Sequence, residues 1–289
     1  LQQDYELLRR ALVTRGHVVQ GVQFNAKPLL VSPADINVFL ETVVGLAFSA
    51  AQAQWVIPNP EWWLPQYHEC LPRVTKVLCK TYDSLRAFTT LAGSRAEYLG
   101  FVSRDVYRPE VPRQRAFLHV AGNSSVKNTE AILSAWLRLP YDLTVVTRVP
   151  RLLMLAHRVP RVTVRSQVTE SELITLLNSH QFFICPSQYE GFGHCIHEAM
   201  GVGAVVITRD GPPMNEFGIP ANFLVPSQVK SSLRLAEMRS VTSEAVATIV
   251  QYAAGLSPES IRIISRQMRM TFEENQTAFS QRLSAVLAC

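Results

Sequence analysis

The chain has 289 residues, a hydrophobic fraction of 47% and a net charge of +5. This composition is ordinary for a globular protein and supports a core in one large or two medium domains. The absence of an eighteen-residue apolar run excludes a transmembrane helix, and no Lys/Arg cluster interleaved with aromatics points to nucleic acid. The mild positive charge fits an anionic substrate, an anionic membrane surface or ordinary solubility.

Leu7, Leu8, Ala11 and Leu12 recur at helical spacing, so a helix is expected over Tyr5 to Thr14, ended by Arg15-Gly16-His17. Asp4, Glu6, Arg9 and Arg10 in the opening decapeptide do not read as a signal peptide. Strands are expected over 18–22, over 34–41 (ending in the carboxylate Glu41), up to Ile57 before the proline-locked Asn59-Pro60-Glu61-Trp62-Trp63, over 74–79 and near 97–101. A helix over 83–91, with Asp83 or Ser84 as N-cap, separates the last two. Residues 103–114 are charged and proline-rich and read as an interdomain connection.

A new strand is expected over 116–121. The small-residue loop Gly122-Asn123-Ser124-Ser125-Val126-Lys127-Asn128 leads from it into an amphipathic helix carrying Ile132, Leu133, Trp136 and Leu137. A cation at Lys127 opposes the dipole of that helix. A bound anion would repair the conflict, with Lys127 and the loop amides holding a diphosphate. Read alone, Lys127 is more simply a solvent-facing lysine. Strands over 143–147 and 162–164 and a helix over 170–178 follow.

The centre of the sequence is Cys185-Pro186-Ser187-Gln188-Tyr189-Glu190-Gly191-Phe192-Gly193-His194-Cys195-Ile196-His197-Glu198-Ala199-Met200-Gly201-Val202-Gly203. A buried strand, a loop with two glycines, a short helix and a second strand, 204–208, succeed one another. This is how a parallel sheet presents a helix N-terminus to an anionic ligand. Glu190 stands at the carboxyl edge, where open α/β sheets bind ligands. Glu198 lies more than a turn into the helix, where a carboxylate can accept from vicinal hydroxyls such as those of a ribose. Gly191 and Gly193 let the backbone approach a ligand closely. A pair of glutamates without this context reads as a solvated loop residue and an exposed helix residue. Helices over 243–254 and 258–287 close the chain. The five cysteines, Cys70, Cys79, Cys185, Cys195 and Cys289, are odd in number and form no C-x-x-C pair, which fits free thiols in a reducing compartment, the cytoplasm. His194 and His197 stand at i, i+3, whereas zinc helices place the pair at i, i+4 around a glutamate; no metal is expected.

The string Pro186-Ser187, Glu190-Gly191-Phe192-Gly193, Glu198-Ala199-Met200 and Gly203 resembles the Glu-x7-Glu signature of retaining GT-B glycosyltransferases, in particular glycosyltransferase family 4. The resemblance covers the second half well and the first half loosely. It implies an α/β chain of two Rossmann-like lobes facing a cleft: an N-terminal acceptor-side lobe over 1–112, a nucleotide-sugar lobe over 113–270, and a final helix, 271–289, returning to the first lobe. The helix before Arg15-Gly16-His17 corresponds to the second half of the family's first βαβ unit, so the first strand and its glycine-rich loop are expected to be missing, by truncation or as an absent element. The implied reaction moves a sugar from a nucleotide diphosphate sugar to a glycan, lipid or other acceptor with retention. It needs no metal and no cofactor beyond the donor substrate, and peripheral membrane contact is compatible with it. By resemblance the donor is held by Lys127, Gly122, Asn123, Gly191, Phe192, Gly193 and Glu198, with Gln167 and Val168 beside the base. Glu190 is the catalytic carboxylate. The family's histidine after the second strand is replaced by Asn59, which with Glu61 and Glu41 is a candidate for sugar or acceptor contact, and the arginine of the family's phosphate loop is replaced by Asn123 or Gly122. Two alternatives stay open: a non-catalytic nucleotide-sugar-binding protein and a GT-B sugar epimerase.

Overall fold

In the computed structural model, residues 1–23 and 32–288 are described; Cys289 lies outside them. The chain divides into two compact units. One comprises 1–102, 233–236 and 275–289, the other 103–232 and 237–274.

The first unit is built on a four-stranded parallel sheet, β1 (Ala34–Leu40), β2 (Ala51–Ile57), β3 (Lys76–Cys79) and β4 (Ala96–Tyr98), in the order β1-β2-β3-β4. Helix α1 (Gln2–Val13) precedes it, and α2 (Tyr82–Ala92) joins β3 to β4. The hydroxyl of Thr81, not Asp83 or Ser84, caps α2, because Thr81 is the extended residue whose side chain can reach the Ser84 amide. Residues 18–22 form no strand, and Val18 is fully exposed, so the run buries no apolar face there. Trp63 and Phe88 meet edge to face, 4.9 Å apart, in a core with Val56 and Val77.

The second unit holds a six-stranded parallel sheet. Its strands are β5 (Gln114–Gly122), β6 (Leu143–Thr147), β7 (Val162–Arg165), β8 (His180–Cys185), β9 (Val205–Arg209) and β10 (Leu224–Val225), ordered β10-β9-β8-β5-β6-β7. Helices α3 (Thr129–Trp136), α4 (Pro150–Ala156), α5 (Glu170–Ser179) and α6 (His194–Gly201) link successive strands. Thr169 and Glu172 form a reciprocal capping box that fixes the start of α5. Reading from β7, the order is that of a doubly wound dinucleotide fold, with its reversal between β5 and β8. Both faces of the sheet are covered, so its central strands are continuous apolar runs, and Phe117 of β5 stacks on Phe182 of β8 at 4.6 Å. A two-stranded sheet, β11 (Ser227–Leu233) and β12 (Ala236–Val241), precedes α7 (Ser243–Gly255) and the 31-residue α8 (Pro258–Ala288). Among the described residues no helix is long and apolar enough to cross a membrane.

Candidate functional site

Two loops leave the carboxyl ends of β5 and β8, on either side of the reversal in strand order, where an open α/β sheet forms its crevice. They are stitched together by backbone and amide groups. The Gln188 amide donates to Val126 O at 2.8 Å, and Asn128 Nδ2 donates to Pro186 O at 2.7 Å. Asn128 sits in the left-handed region, φ 52°, as the residue before α3. Gly193 takes φ 79° at the start of α6, and a Cβ there would stand 3.3 Å from Phe217.

This stitching brings Lys127 and Glu190 into contact. Lys127 Nζ donates to Glu190 Oε1, which also accepts from Ser187 Oγ. Both side chains are mostly buried, 14% and 13% exposed. Burial works against the ammonium, but the Glu190 carboxylate in contact with it helps to raise the Lys127 pKa well above its ordinary value. The helix-dipole conflict at Lys127 is therefore met by a carboxylate of the chain itself, not only by an anion from outside. Beside the pair lie two thiols: Cys195 Sγ is 3.9 Å from Lys127 Nζ and 3.8 Å from Cys185 Sγ.

Glu198 does not join Lys127. It pairs with Arg104, whose Nε donates to Glu198 Oε1 at 3.0 Å and whose Nη1 reaches Glu170. Arg104 comes from the connection between the units, and no local sequence pattern links it to a helix 94 residues later. Gly191, Phe192 and Gly193 are buried, and the Phe192 ring stacks on His197 at 4.1 Å. His197 is held neutral: burial pushes it down to about 4, and its Nδ1 lies 3.2 Å from Gly193 O. Gly122 takes φ 57° and Asn123 is exposed, both at the rim of the first loop. Gln167 is exposed before α5, while Val168 packs against the core.

In the first unit Glu41, Asn59 and Glu61 follow β1 and β2. Asn59 Nδ2 donates to Glu41 Oε1 at 2.9 Å, and Glu41 takes φ 66°. Glu61 O accepts from Arg234, whose guanidinium lies 5.3 Å from the exposed ring of Trp62. Trp63, by contrast, is a core residue.

Two further groups stand out: Arg209, read in the sequence only as part of the stretch 208–216 that resembles the family's last ligand loop, and His119, which was not singled out. Arg209, at the end of β9, is fully buried; its Nε donates to Ser187 O at 2.7 Å and its Nη2 to Pro212 O at 2.7 Å and Gln188 O at 3.2 Å. His119, in the middle of β5, is fully buried between Ile184 O and Thr129 Oγ1, and burial pushes it down to about 4. The resemblance of 208–216 to the family's last ligand loop was the signal for Arg209. Nothing local marks His119.

Parallel sheets in two lobes match the GT-B glycosyltransferase fold of the solved structures to which the chain is similar. Residues 114–237, which hold both loops, match the family model described as "Glycosyl transferases group 1". Among solved structures the chain is similar to the GtfA/B complex (TM-score 0.65, 16% identity, 98% of this chain and 60% of that one). It is also similar to sucrose-phosphate synthase from Thermosynechococcus elongatus (TM-score 0.67, 16% identity, 84% and 69%) and to Anabaena Alr3699/HepE in complex with UDP and glucose (TM-score 0.66, 14% identity, 84% and 73%). The chain thus spans 60% of the length of the GtfA/B chain it matches. A search of curated proteins returns no match.

Proposed function

We propose that the protein is a metal-independent, retaining glycosyltransferase of the family 4 kind that takes its sugar from a nucleotide diphosphate donor. The observation that carries this reading is the Lys127–Glu190 pair, supplied by two loops at the reversal of strand order inside the segment that matches the family model. UDP in the Anabaena complex favours a uridine donor.

The pair acts by exchange. The donor diphosphate replaces the Glu190 carboxylate on Lys127, with the first amides of α6 and the loop after β5, at Gly122 and Asn123, sharing the phosphate charge. Glu190, released from the ammonium, turns to the sugar and stabilises positive charge developing at its reacting carbon, while Lys127 stabilises the leaving diphosphate. Glu198, oriented by Arg104, accepts from the ribose hydroxyls, and Gln167 and Val168 flank the base. In this reading 113–270 is the donor lobe, and Glu41, Asn59 and Glu61 in 1–112 serve the acceptor, a carbohydrate or a lipid-linked sugar. A cytoplasmic location, at most peripheral to a membrane, agrees with the four free cysteines of the described residues.

Glu190→Gln tests the assignment. Turnover with a panel of UDP-, GDP- and ADP-sugars and acceptors should fall ~100-fold or more while KM changes little, the mark of an interaction made in the transition state. Free UDP should bind the variant at least as tightly as the parent, since Lys127 is no longer engaged. Full transfer activity in Glu190→Gln would remove the catalytic role, and weaker binding of free UDP would move Glu190 to the nucleotide.

A further inference from the structure

Cys185 ends β8 and is fully buried, while Cys195 stands in the first turn of α6 and is half-buried. The loop between them folds back so that their sulfurs lie 3.8 Å apart. One ligand atom each from Cys185, Glu190 and Cys195 falls within a sphere in which no two are more than 4.8 Å apart. Two thiolates on one tetrahedral zinc, each at about 2.3 Å, stand ~3.8 Å from one another, so the sulfurs already have the separation a shared zinc demands. A cation is already at home there: the Lys127 ammonium touches Glu190 and lies 3.9 Å from Cys195 Sγ. Ser187 Oγ, 3.4 Å from Cys185 Sγ and bonded to Glu190, ties the donors together.

We propose that Cys185, Glu190 and Cys195 form a site for a thiophilic divalent cation, zinc by its chemistry, which binds in competition with Lys127. On binding, each thiol gives its proton to solvent, two thiolates and the Glu190 carboxylate ligate the metal, and a water fills the fourth position. Lys127 leaves the carboxylate, so two protons and one ammonium contact are exchanged for one dication. A cation held there occupies the carboxylate on which the proposed transfer depends, which makes the site inhibitory. The metal site rests on the donor geometry and stands or falls separately from the transferase reading; only its inhibitory effect rests on that reading.

Cobalt(II) is the probe, added to the full chain under reducing conditions. The expected result is thiolate-to-metal charge-transfer absorption with tetrahedral d–d bands, both lost on adding one equivalent of zinc. Removing a ligand should weaken cobalt binding at least ~100-fold in Cys185→Ser and Cys195→Ser and ~10-fold in Glu190→Gln, and Cys70→Ser should leave it unchanged. If the serine variants fail to fold, alkylation of the unaltered protein decides: zinc should shield Cys195, the accessible thiol of the pair, and leave Cys70 reactive. A cobalt spectrum without sulfur charge transfer, binding retained in both serine variants, or equal alkylation of Cys195 with and without zinc overturns the proposal.

Discussion

Each unit of the molecule sets a lysine beyond the carboxyl end of a central strand and pairs it with a carboxylate, and the two pairs are built differently. In the first unit Lys80, directly after β3, meets Asp4 of α1 at 2.6 Å, with side chains only 2% and 4% exposed and the Phe101 ring 5.2 Å from the ammonium. In the second, Lys127 and Glu190 come from loops and keep 14% and 13% of their surface. The first pair is sealed; its desolvation has already been met by hydrogen bonding, and breaking it leaves a bare charge in the core. The second keeps part of its surface, and in the proposed reading it exchanges its partner for another anion or cation. The contrast separates an ion pair that ties α1 to its sheet from one that, in the proposed reading, awaits a ligand.

The largest test of that contrast is Lys80→Ala or Asp4→Ala. Each should lower stability by about 3–5 kcal/mol in urea unfolding, because the partner stays buried without its counter-charge. A loss under ~1 kcal/mol would place the sealed pair with ordinary surface ion pairs and erase the distinction.

The next effect belongs to the sheet beneath the open pair. His119 is held neutral, its value lowered from 6.5 to about 4 chiefly by burial. Between those values the unfolded chain binds the extra proton, so the stability His119 contributes is present above pH 6.5 and is lost as pH falls to 4. The full loss is about 3 kcal/mol. Urea midpoints across pH 4–7 would show the slope, and His119→Gln should flatten it; an unchanged slope would assign the acid sensitivity to other groups.

Lys127→Ala should do the reverse of Lys80→Ala, costing little stability and much affinity. Calorimetry is expected to show UDP binding weakened by ~10–100-fold, the loss of a charge-assisted contact worth about 1.5–3 kcal/mol, with uridine itself unaffected. Equal losses for UDP and uridine would mean that Lys127 does not meet the phosphates.

The smallest change is expected at Arg104, which is itself partly exposed. Arg104→Ala should weaken UDP binding ~3–10-fold by releasing Glu198, about 1 kcal/mol, and Arg104→Lys should restore part of it. Unaltered affinity in both variants would leave Arg104 a surface contact.

Much of this was legible in the sequence, and the parts that were not share a cause. The strands of the second sheet announce themselves because a two-sided parallel sheet writes each strand as a short apolar run bounded by glycine loops, as Phe182–Cys185 and Val205–Arg209 show. The strand β11 was not anticipated: Ser227–Leu233 is polar and exposed along most of its length, so it carries no buried face to read. The 18–22 run misled in the other direction, since its apolar residues bury no face there. Within the site, the clash of Lys127 with the dipole of α3 was visible, but not that Glu190, 63 residues on, answers it. Arg104 with Glu198, and Cys185 with Cys195, are likewise products of topology, which no window of sequence spells out.

Arg209 carries a consequence for anyone who would transplant the loop after β8. Its guanidinium, anchored in β9, takes three backbone carbonyls belonging to residues 187, 188 and 212. A carbonyl has no side chain to mutate, so loop sequence can drift while the grip persists; only the arginine itself is indispensable. Lysine, with a single rotatable ammonium, cannot reproduce the planar fork. The heritable module is therefore discontinuous: residues 186–193 together with one arginine from the next strand. A graft of the loop alone would bring Glu190 and its glycines without the clamp that shapes them.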